Sequence, residues 1–455
     1  MDEKQLHYEF MSIPGESHPG LTFEEYRDAC VFLLFYHYLC LRYDQKLEDC
    51  YKLEAMVRMA VRGKLQLPSF LRFIEAVSPF LHLASGRFQL TDFSFYRNLT
   101  RMQSTEKQKS YARFVRKLIK KMNLWDNDAL LLEKYPAFFE DLLKEFAGMK
   151  KETIISDEAL RLYRLFFSRS VASVRRIFVP DFEYGLLYRC MSDHSAGLDI
   201  SGYDSHEGYR EILRILGYMS GVPKDSLHIY DWKEWKRESV SAEKFDAVGI
   251  YMPEGAGAGS IMAENEDSRK LMDAIGNISK GELPFLLSAF SMLKEDGVLA
   301  AILPGALLYR EGRESQLRRF LVKEQNGLDM VMLLPDHILP VAGQKEVFLL
   351  LQKNRSRKDV MFFDCSETEC FGKEQLHTIE IAWKERKTIP GFCSRVEQPD
   401  LEKNDYNLNL PRYIVKKVKL AKIDIEAKKK RIEEIDRELE EIEKRIAMYK
   451  RDLEL

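Results

Sequence analysis

The chain has 455 residues, of which 45% are hydrophobic and 31% charged, and its formal net charge is -2. That length exceeds what one core of ordinary size needs, so two or three structural units are expected. The near balance of charge excludes a uniformly basic DNA-coating protein, and no apolar run approaches the roughly twenty residues a bilayer-spanning helix requires.

The opening Met1, Asp2, Glu3, Lys4 lacks a signal-peptide pattern. From Leu21 to about Met149 apolar residues recur at spacings of three and four, as in Phe32, Leu33, Tyr36, Leu39 and Cys40, which predicts a helical domain over residues 1–152. Within it Lys107, Lys109, Arg113, Arg116, Lys117, Lys120 and Lys121 crowd a helix whose Phe114, Leu118 and Ile119 can face a core. Such a face is commonly just solvated, yet Arg113, Arg116, Lys117 and Lys120 are also the candidate DNA contacts of the chain.

Beyond Ile177 short apolar runs alternate with amphipathic stretches, as strands do when crossover helices separate them. Ile177–Val179, Asp199–Gly202, Leu227–Tyr230, Ala247–Ile250, Val298–Leu303, Met330–Leu334 and Val347–Leu351 are the expected strands. Gly208–Met219 and Leu283–Leu293 are two of the expected helices. The economical architecture is an α/β, doubly wound Rossmann-like sheet over residues 153–400, with ligands at the carboxyl ends of its strands. Gly255–Ser260 reads as a flexible loop.

A tail over 401–455 completes the chain. Ile425, Ile432, Ile435, Leu439, Ile442, Ile446, Tyr449 and Leu453 fit the a and d positions of a heptad that only Lys428 interrupts. A lone helix would expose that stripe, so this coiled-coil helix is expected to pair with another protein or with its own copy. The seven cysteines, among them Cys30, Cys190 and Cys393, are scattered without zinc-ligand spacing. A reducing cytoplasm and no metal are the matching expectations.

The segment from Glu282 carries the most specific pattern. Phe285 and Leu286 open a helix that leads through Gly297 to Ala300, Ala301, Ile302, Leu303, Pro304, Gly305; then come Leu308, Tyr309, Arg310, Glu311, Gly312, Arg318 and a second strand closing on Leu333, Leu334, Pro335. Val360–Asp364 and the run Asn404, Asp405, Tyr406, Asn407, Leu408, Asn409, Leu410, Pro411, Arg412, Tyr413 extend it. In this order the chain resembles the modification subunits of type I restriction-modification systems, and its helical N-terminal region is similar to theirs. The resemblance implies adenine-specific DNA methylation with S-adenosylmethionine, base flipping to expose the adenine, and a separate specificity subunit that reads the sequence.

The residues for that chemistry are another matter. The resemblance places the catalytic loop, normally Asn or Asp, Pro, Pro and an aromatic, after Phe245 and Asp246, on Tyr251, Met252, Pro253 and Glu254. The amino group of adenine needs a short side-chain carbonyl and a main-chain carbonyl as acceptors, and Tyr251 offers a hydroxyl on a rigid ring instead. Met252 lacks the fixed geometry of proline, and Glu254 has no π-face for a flipped base. Loss of one preorganised polar contact typically costs about a hundredfold to a thousandfold in rate. The cofactor loop is altered in the same way. Where the resemblance implies a glycine-rich turn, the chain has Val179, Pro180, Asp181, Phe182, Glu183, Tyr184, Gly185, Leu186, and Glu183 and Leu186 fill the space that glycines leave. Pro180, Gly185, Asp204 and Asp231 are the remaining candidate cofactor positions, although the two aspartates serve equally well as exposed loop residues. An aromatic-Thr-Pro segment implied before the first strand reads Phe166, Phe167, Ser168, Arg169, Ser170. The expectation is a catalytically inactive paralogue that binds no cofactor and acts on DNA or in assembly, through a specificity-like subunit, an active methyltransferase subunit or a second copy. The alternative is an active adenine methyltransferase with an unusual loop.

Overall fold

The computed structural model describes residues 20–85, 90–122, 132–150, 155–170, 175–180, 199–203, 207–222, 226–230, 244–251, 270–271, 273, 282–338, 345–415 and 425–452. Seven helices come first: α1 (Phe23–Arg42), α2 (Leu53–Val61), α3 (Leu67–Ser85), α4 (Ser94–Thr100), α5 (Thr105–Met122), α6 (Tyr135–Lys150) and α7 (Asp157–Ser170). Thr22 starts α1 with a capping box: its hydroxyl accepts the Glu25 amide at 3.2 Å and its own amide donates to the Glu25 carboxylate at 3.0 Å. The three-and-four spacing along α1 buries Phe32, Phe35, Tyr36 and Leu39, which meet Phe114, Leu118 and Ile119 of α5 in one core.

The strands are β1 (Arg176–Pro180), β2 (Asp199–Tyr203), β3 (Leu227–Tyr230), β4 (Phe245–Tyr251), β5 (Leu293–Pro304), β6 (Leu328–Leu333), β7 (Glu346–Gln352), β8 (Asp359–Asp364) and β9 (Cys393–Glu397). They form one sheet in the order β3-β2-β1-β4-β5-β7-β6-β8-β9. The pairs from β3 to β5 are parallel, β7 lies antiparallel between β5 and β6, and β9 closes the far edge antiparallel to β8. Each strand expected from the sequence is present, and the doubly wound α/β architecture is borne out. The far edge is tied by ion pairs, with buried Arg355 at 2.9 Å from Asp329 and the more exposed Arg395 at 3.0 Å from buried Asp359.

One expected boundary is corrected. The helix drawn to Leu293 ends earlier, as α9 (Glu282–Ser291), because Leu293 already pairs with Phe245 and begins β5. β5 is irregular between Leu293 and Val298, and it is tight at Gly297, where a Cβ would come to 3.0 Å from the Phe245 carbonyl. Gly305, after the Leu303-Pro304 end of the strand, is tighter still, since a Cβ there would stand 2.7 Å from the Lys345 carbonyl.

Strand pleating sends alternate residues to opposite faces. Phe178, Val248, Ile250, Leu299, Ala301 and Leu303 meet α9 and α10 (Arg313–Arg319) on one face. Ile177, Val179, Ala247, Val298, Ala300 and Ile302 meet α7 and α11 (Lys373–Glu385) on the other. The crossover helix α8 (Glu207–Met219) serves two cores: Leu213 joins the sheet cluster, while Ile212, Ile215, Leu216 and Met219 join the helical one. The Ser94 hydroxyl donates to Glu211 at 2.8 Å, and the Tyr43 and Tyr218 hydroxyls meet at 2.6 Å across the same seam.

After α12 (Gln398–Lys403) the run from Asn404 to Tyr413 folds back, burying Tyr406, Leu408 and Leu410. Arg318, itself buried, donates to the Tyr406 carbonyl at 3.0 Å and to the Leu307 and Arg310 carbonyls at 2.8 Å each. The Tyr413 ring lies 4.4 Å from that of Phe362. The chain divides into two compact units between Ile414 and Val415. The second contains α13 (Ile425–Asp452), whose Ile432, Ile435, Leu439, Ile442 and Ile446 are 42–57% exposed.

Candidate functional site

The carboxyl ends of β1 to β5 lie side by side, and the register aligns Pro180 with Tyr203, Tyr203 with Tyr230, and Tyr251 with Ile302. This is the edge where a doubly wound sheet takes its ligands. The amino ends are fixed by Asp246, whose carboxylate accepts the Arg175 and Arg176 amides at 3.0 and 2.8 Å and the Lys294 ammonium at 2.7 Å. Burial pushes its pKa up, but the Lys294 bond and the two amides outweigh this and hold the carboxyl below its usual range. Asp246 thus ties the start of β4 to the starts of β1 and β5.

Tyr251 is still part of β4, hydrogen-bonded in register with β5, so the pleat dictates its direction. It shares parity with Ala247 and turns onto the α7 face, 5% exposed, in the cluster that holds Tyr163, Phe167 and Val179. Residues from all three altered segments of the sequence therefore meet in one apolar layer. Tyr163, on α7, completes it in a way the sequence did not announce. Its hydroxyl accepts the Ile302 amide at 3.0 Å and donates to the Ile250 carbonyl, bridging β4 and β5 one residue before Tyr251. Its ring stacks on Phe167 with centroids 6.1 Å apart. The only advance signal was the spacing of four between these two aromatics on one helix.

Among the other expected site residues, Pro180 ends β1 and has no N–H to offer a ligand. Met252, Pro253, Glu254, Gly185, Asp204 and Asp231 lie outside the described residues, as do Phe182, Glu183 and the side chains of Ser168, Arg169 and Ser170. On α5, Arg113, Lys117 and Lys120 are exposed, whereas Arg116 is partly buried and donates to the Gly63 carbonyl at 2.8 Å just past α2, which gives it a capping role. The basic helix and the sheet edge are separate features. Among the described residues no group of His, Cys, Asp and Glu could hold a metal ion, and no helix is long and apolar enough to cross a membrane.

The architecture and the strand-end motifs now have counterparts to be set against. Residues 187–421, just over half of the chain, match the model of the N-6 DNA methylase family. The chain belongs to the N-6 DNA methylase family. It is 27% identical over 217 residues to the type I restriction enzyme MpnII methylase subunit of Mycoplasma pneumoniae, a match covering 45% of this chain and 40% of that one. With the MjaVII methylase subunit of Methanocaldococcus jannaschii the identity is 22% over 280 residues, covering 56% of this chain and 47% of the relative. The chain thus spans less than half the length of these curated relatives. The fold is that of the type I restriction-modification methyltransferase subunit from Streptococcus thermophilus, with a TM-score of 0.70 at 20% identity over 91% of this chain and all of the other. A modification subunit from Vibrio vulnificus follows with a TM-score of 0.60 at 12% identity, over 88% of this chain and 93% of that one.

An N-6 DNA methylase of this fold uses S-adenosylmethionine. At the described strand ends, β1 closes on a proline without an amide, β2 and β3 close on Tyr203 and Tyr230, and the Tyr251 ring is drawn into the core, while the loops that follow β1, β2 and β3 lie outside the described residues.

Proposed function

We propose that this type I methyltransferase-like subunit no longer transfers methyl groups, and that it acts in assembly or DNA binding within a DNA-modification or phage-defence complex. The observation that carries this reading is the Tyr251 ring. The position that must present a short acceptor to the adenine amino group instead supplies a buried aromatic side chain to the layer beneath. A group buried in the cluster that holds Phe167 and Val179 is a structural member, and rotating it outward would open a hole in the core. Loss of the cofactor contacts agrees with it, since Glu183 and Leu186 stand where the family needs glycine.

The parts left to such a subunit are its surfaces. The exposed stripe of α13 fits a helix of a specificity-like subunit, an active methyltransferase subunit or a second copy. Arg113, Lys117 and Lys120 offer a basic helix face to DNA. The test is incubation of the purified chain, alone and with a cognate specificity subunit, with labelled S-adenosylmethionine and DNA. No incorporation and a flat calorimetric titration with S-adenosylmethionine are expected. Methyl transfer at a normal rate would establish the active alternative.

A further inference from the structure

Arg116 and Arg318 donate to main-chain carbonyls, and Arg355 and Arg395 pair with carboxylates. Arg42, the exposed last residue of α1, does neither among the described residues. Its Nη1 donates to the buried Tyr38 hydroxyl at 2.6 Å, and its guanidinium carbon lies 5.9, 6.0 and 5.3 Å from the ring centroids of Tyr38, Tyr43 and Tyr218. The neighbouring acid, Asp44, turns instead to Lys52 at 3.1 Å. A helix C-terminus by itself attracts a cation, but a capping arginine would meet the last carbonyls. Here the chain meets them itself: the Tyr43 amide donates to the Leu39 carbonyl at 2.9 Å, and the Tyr43 carbonyl accepts the Lys46 and Leu47 amides at 2.8 and 3.0 Å. Three rings therefore hold an unneutralised guanidinium at the surface, and its position is set before anything binds.

We propose that Arg42 anchors a binding site for a phosphate group on the seam between α1 and α8. The donors select the anion. A guanidinium carries its N–H groups in a planar fork made for paired oxygens, and Tyr38 takes only one of its nitrogens. The Tyr43 and Tyr218 hydroxyls meet at 2.6 Å, where one proton lies between them and the other is left for an outside acceptor. Lys46, exposed and 5.9 Å from the Tyr43 ring centroid, brings a second positive charge that pairs with no carboxylate among the described residues. One carboxylate would neutralise only half of this charge. A phosphate monoester carries about -1.5 to -2 at pH 7 with three strong acceptor oxygens, which answers both cations and the hydroxyl. Tyr218 stands in the last turn of α8, just before the chain enters β3, so the site lies toward the amino ends of the strands and away from the edge that holds Tyr251. It does not depend on whether the chain transfers methyl groups.

The test is isothermal titration of the full chain with inorganic phosphate, at an ionic strength held constant with chloride, beside fluorescence anisotropy of a labelled DNA duplex in the same buffer. The parent is expected to bind phosphate, and Arg42→Gln to weaken it about tenfold or more. Arg42→Lys keeps the charge but loses the planar fork, and should recover only part of the affinity. Because Arg42→Gln also removes the bond to Tyr38, Lys46→Gln serves as a second variant. It leaves the seam intact, should melt like the parent without phosphate, and should lose part of the rise in thermal midpoint that phosphate gives the parent. The duplex separates the two sources of a phosphate group. Weaker duplex binding by Arg42→Gln, with inorganic phosphate competing against the duplex in the parent, identifies a nucleic-acid backbone. An unchanged duplex affinity beside a lost phosphate isotherm identifies free phosphate or a mononucleotide. A parent that binds phosphate no better than chloride, or an Arg42→Gln variant that binds it as tightly as the parent, overturns the site.

Discussion

Replacing Tyr251 by asparagine, the residue that would restore the first position of the catalytic loop, should cost stability and yield no enzyme. The ring is 5% exposed in the layer with Tyr163, Phe167 and Val179. An aromatic side chain removes on the order of 150–250 Å² from water when buried, and deleting one from a core costs about 3–5 kcal/mol. Asparagine adds a polar amide to the hole it leaves, with about 1–3 kcal/mol more for a donor left unpaired. We therefore expect a loss of about 4–8 kcal/mol, read as a lower urea midpoint by far-UV circular dichroism. Tyr309→Ala, an exposed tyrosine lost from the same sheet edge, is the control and should move by about 0.5 kcal/mol or less. If Tyr251→Asn left the midpoint unchanged and the protein then bound S-adenosylmethionine in a calorimeter, the reasoning from burial would be wrong.

Further outcomes follow from other groups. Asp246→Ala leaves the Arg175 and Arg176 amides and Lys294 without their acceptor and should destabilise the chain by about 2 kcal/mol or more in the same urea assay. Because the Asp246 carboxyl is held low in the folded protein, its contribution is present above the unfolded value of about 3.9 and is lost as pH falls through the folded one. The stability gap between parent and Asp246→Ala should thus narrow on acidification, and a gap that widened would contradict the assignment. Gly305→Ala puts a methyl 2.7 Å from the Lys345 carbonyl and should lower the thermal midpoint by the equivalent of about 1–3 kcal/mol. Reversing Arg113 and Lys120 to glutamate should weaken duplex binding and flatten the log-log salt slope by about 2, which a gel shift over a salt series would measure; an unaltered slope would remove α5 from the interface.

What the sequence disclosed follows from where apolar residues recur. β1 to β7 were visible because each has a run such as Ala300, Ala301, Ile302, Leu303 that only a buried strand explains. The start of β5 was hidden, since Lys294, Glu295 and Asp296 read as the polar end of a helix, and the tight approach at Gly297 is a three-dimensional fact. β9, Cys393–Glu397, alternates weakly and borrows its order from β8. At the proposed site the residue types from Tyr251 to Glu254 were legible, but the direction of Tyr251 was not, because it depends on β4 staying in register with β5 through that residue. The run from Asn404 to Tyr413 was recognisable as a pattern, yet its link to Arg318 joins positions far apart in the chain.

The sharing of α8 between two cores bears on how such a chain can be altered by exchange. A crossover placed between the helical region and β1 would import a new helical layer against an old α8, whose Ile212, Ile215, Leu216 and Met219 were shaped for another surface. The Glu211 carboxylate would meet a stranger in place of Ser94, and Tyr218 would lose Tyr43. A transferable module must therefore carry the helical region together with α8, which brings β1 and β2 along with it. In that sense the sheet edge formed by β1 and β2 and the helical layer are inherited as one piece, whatever the tail beyond Ile414 is exchanged for.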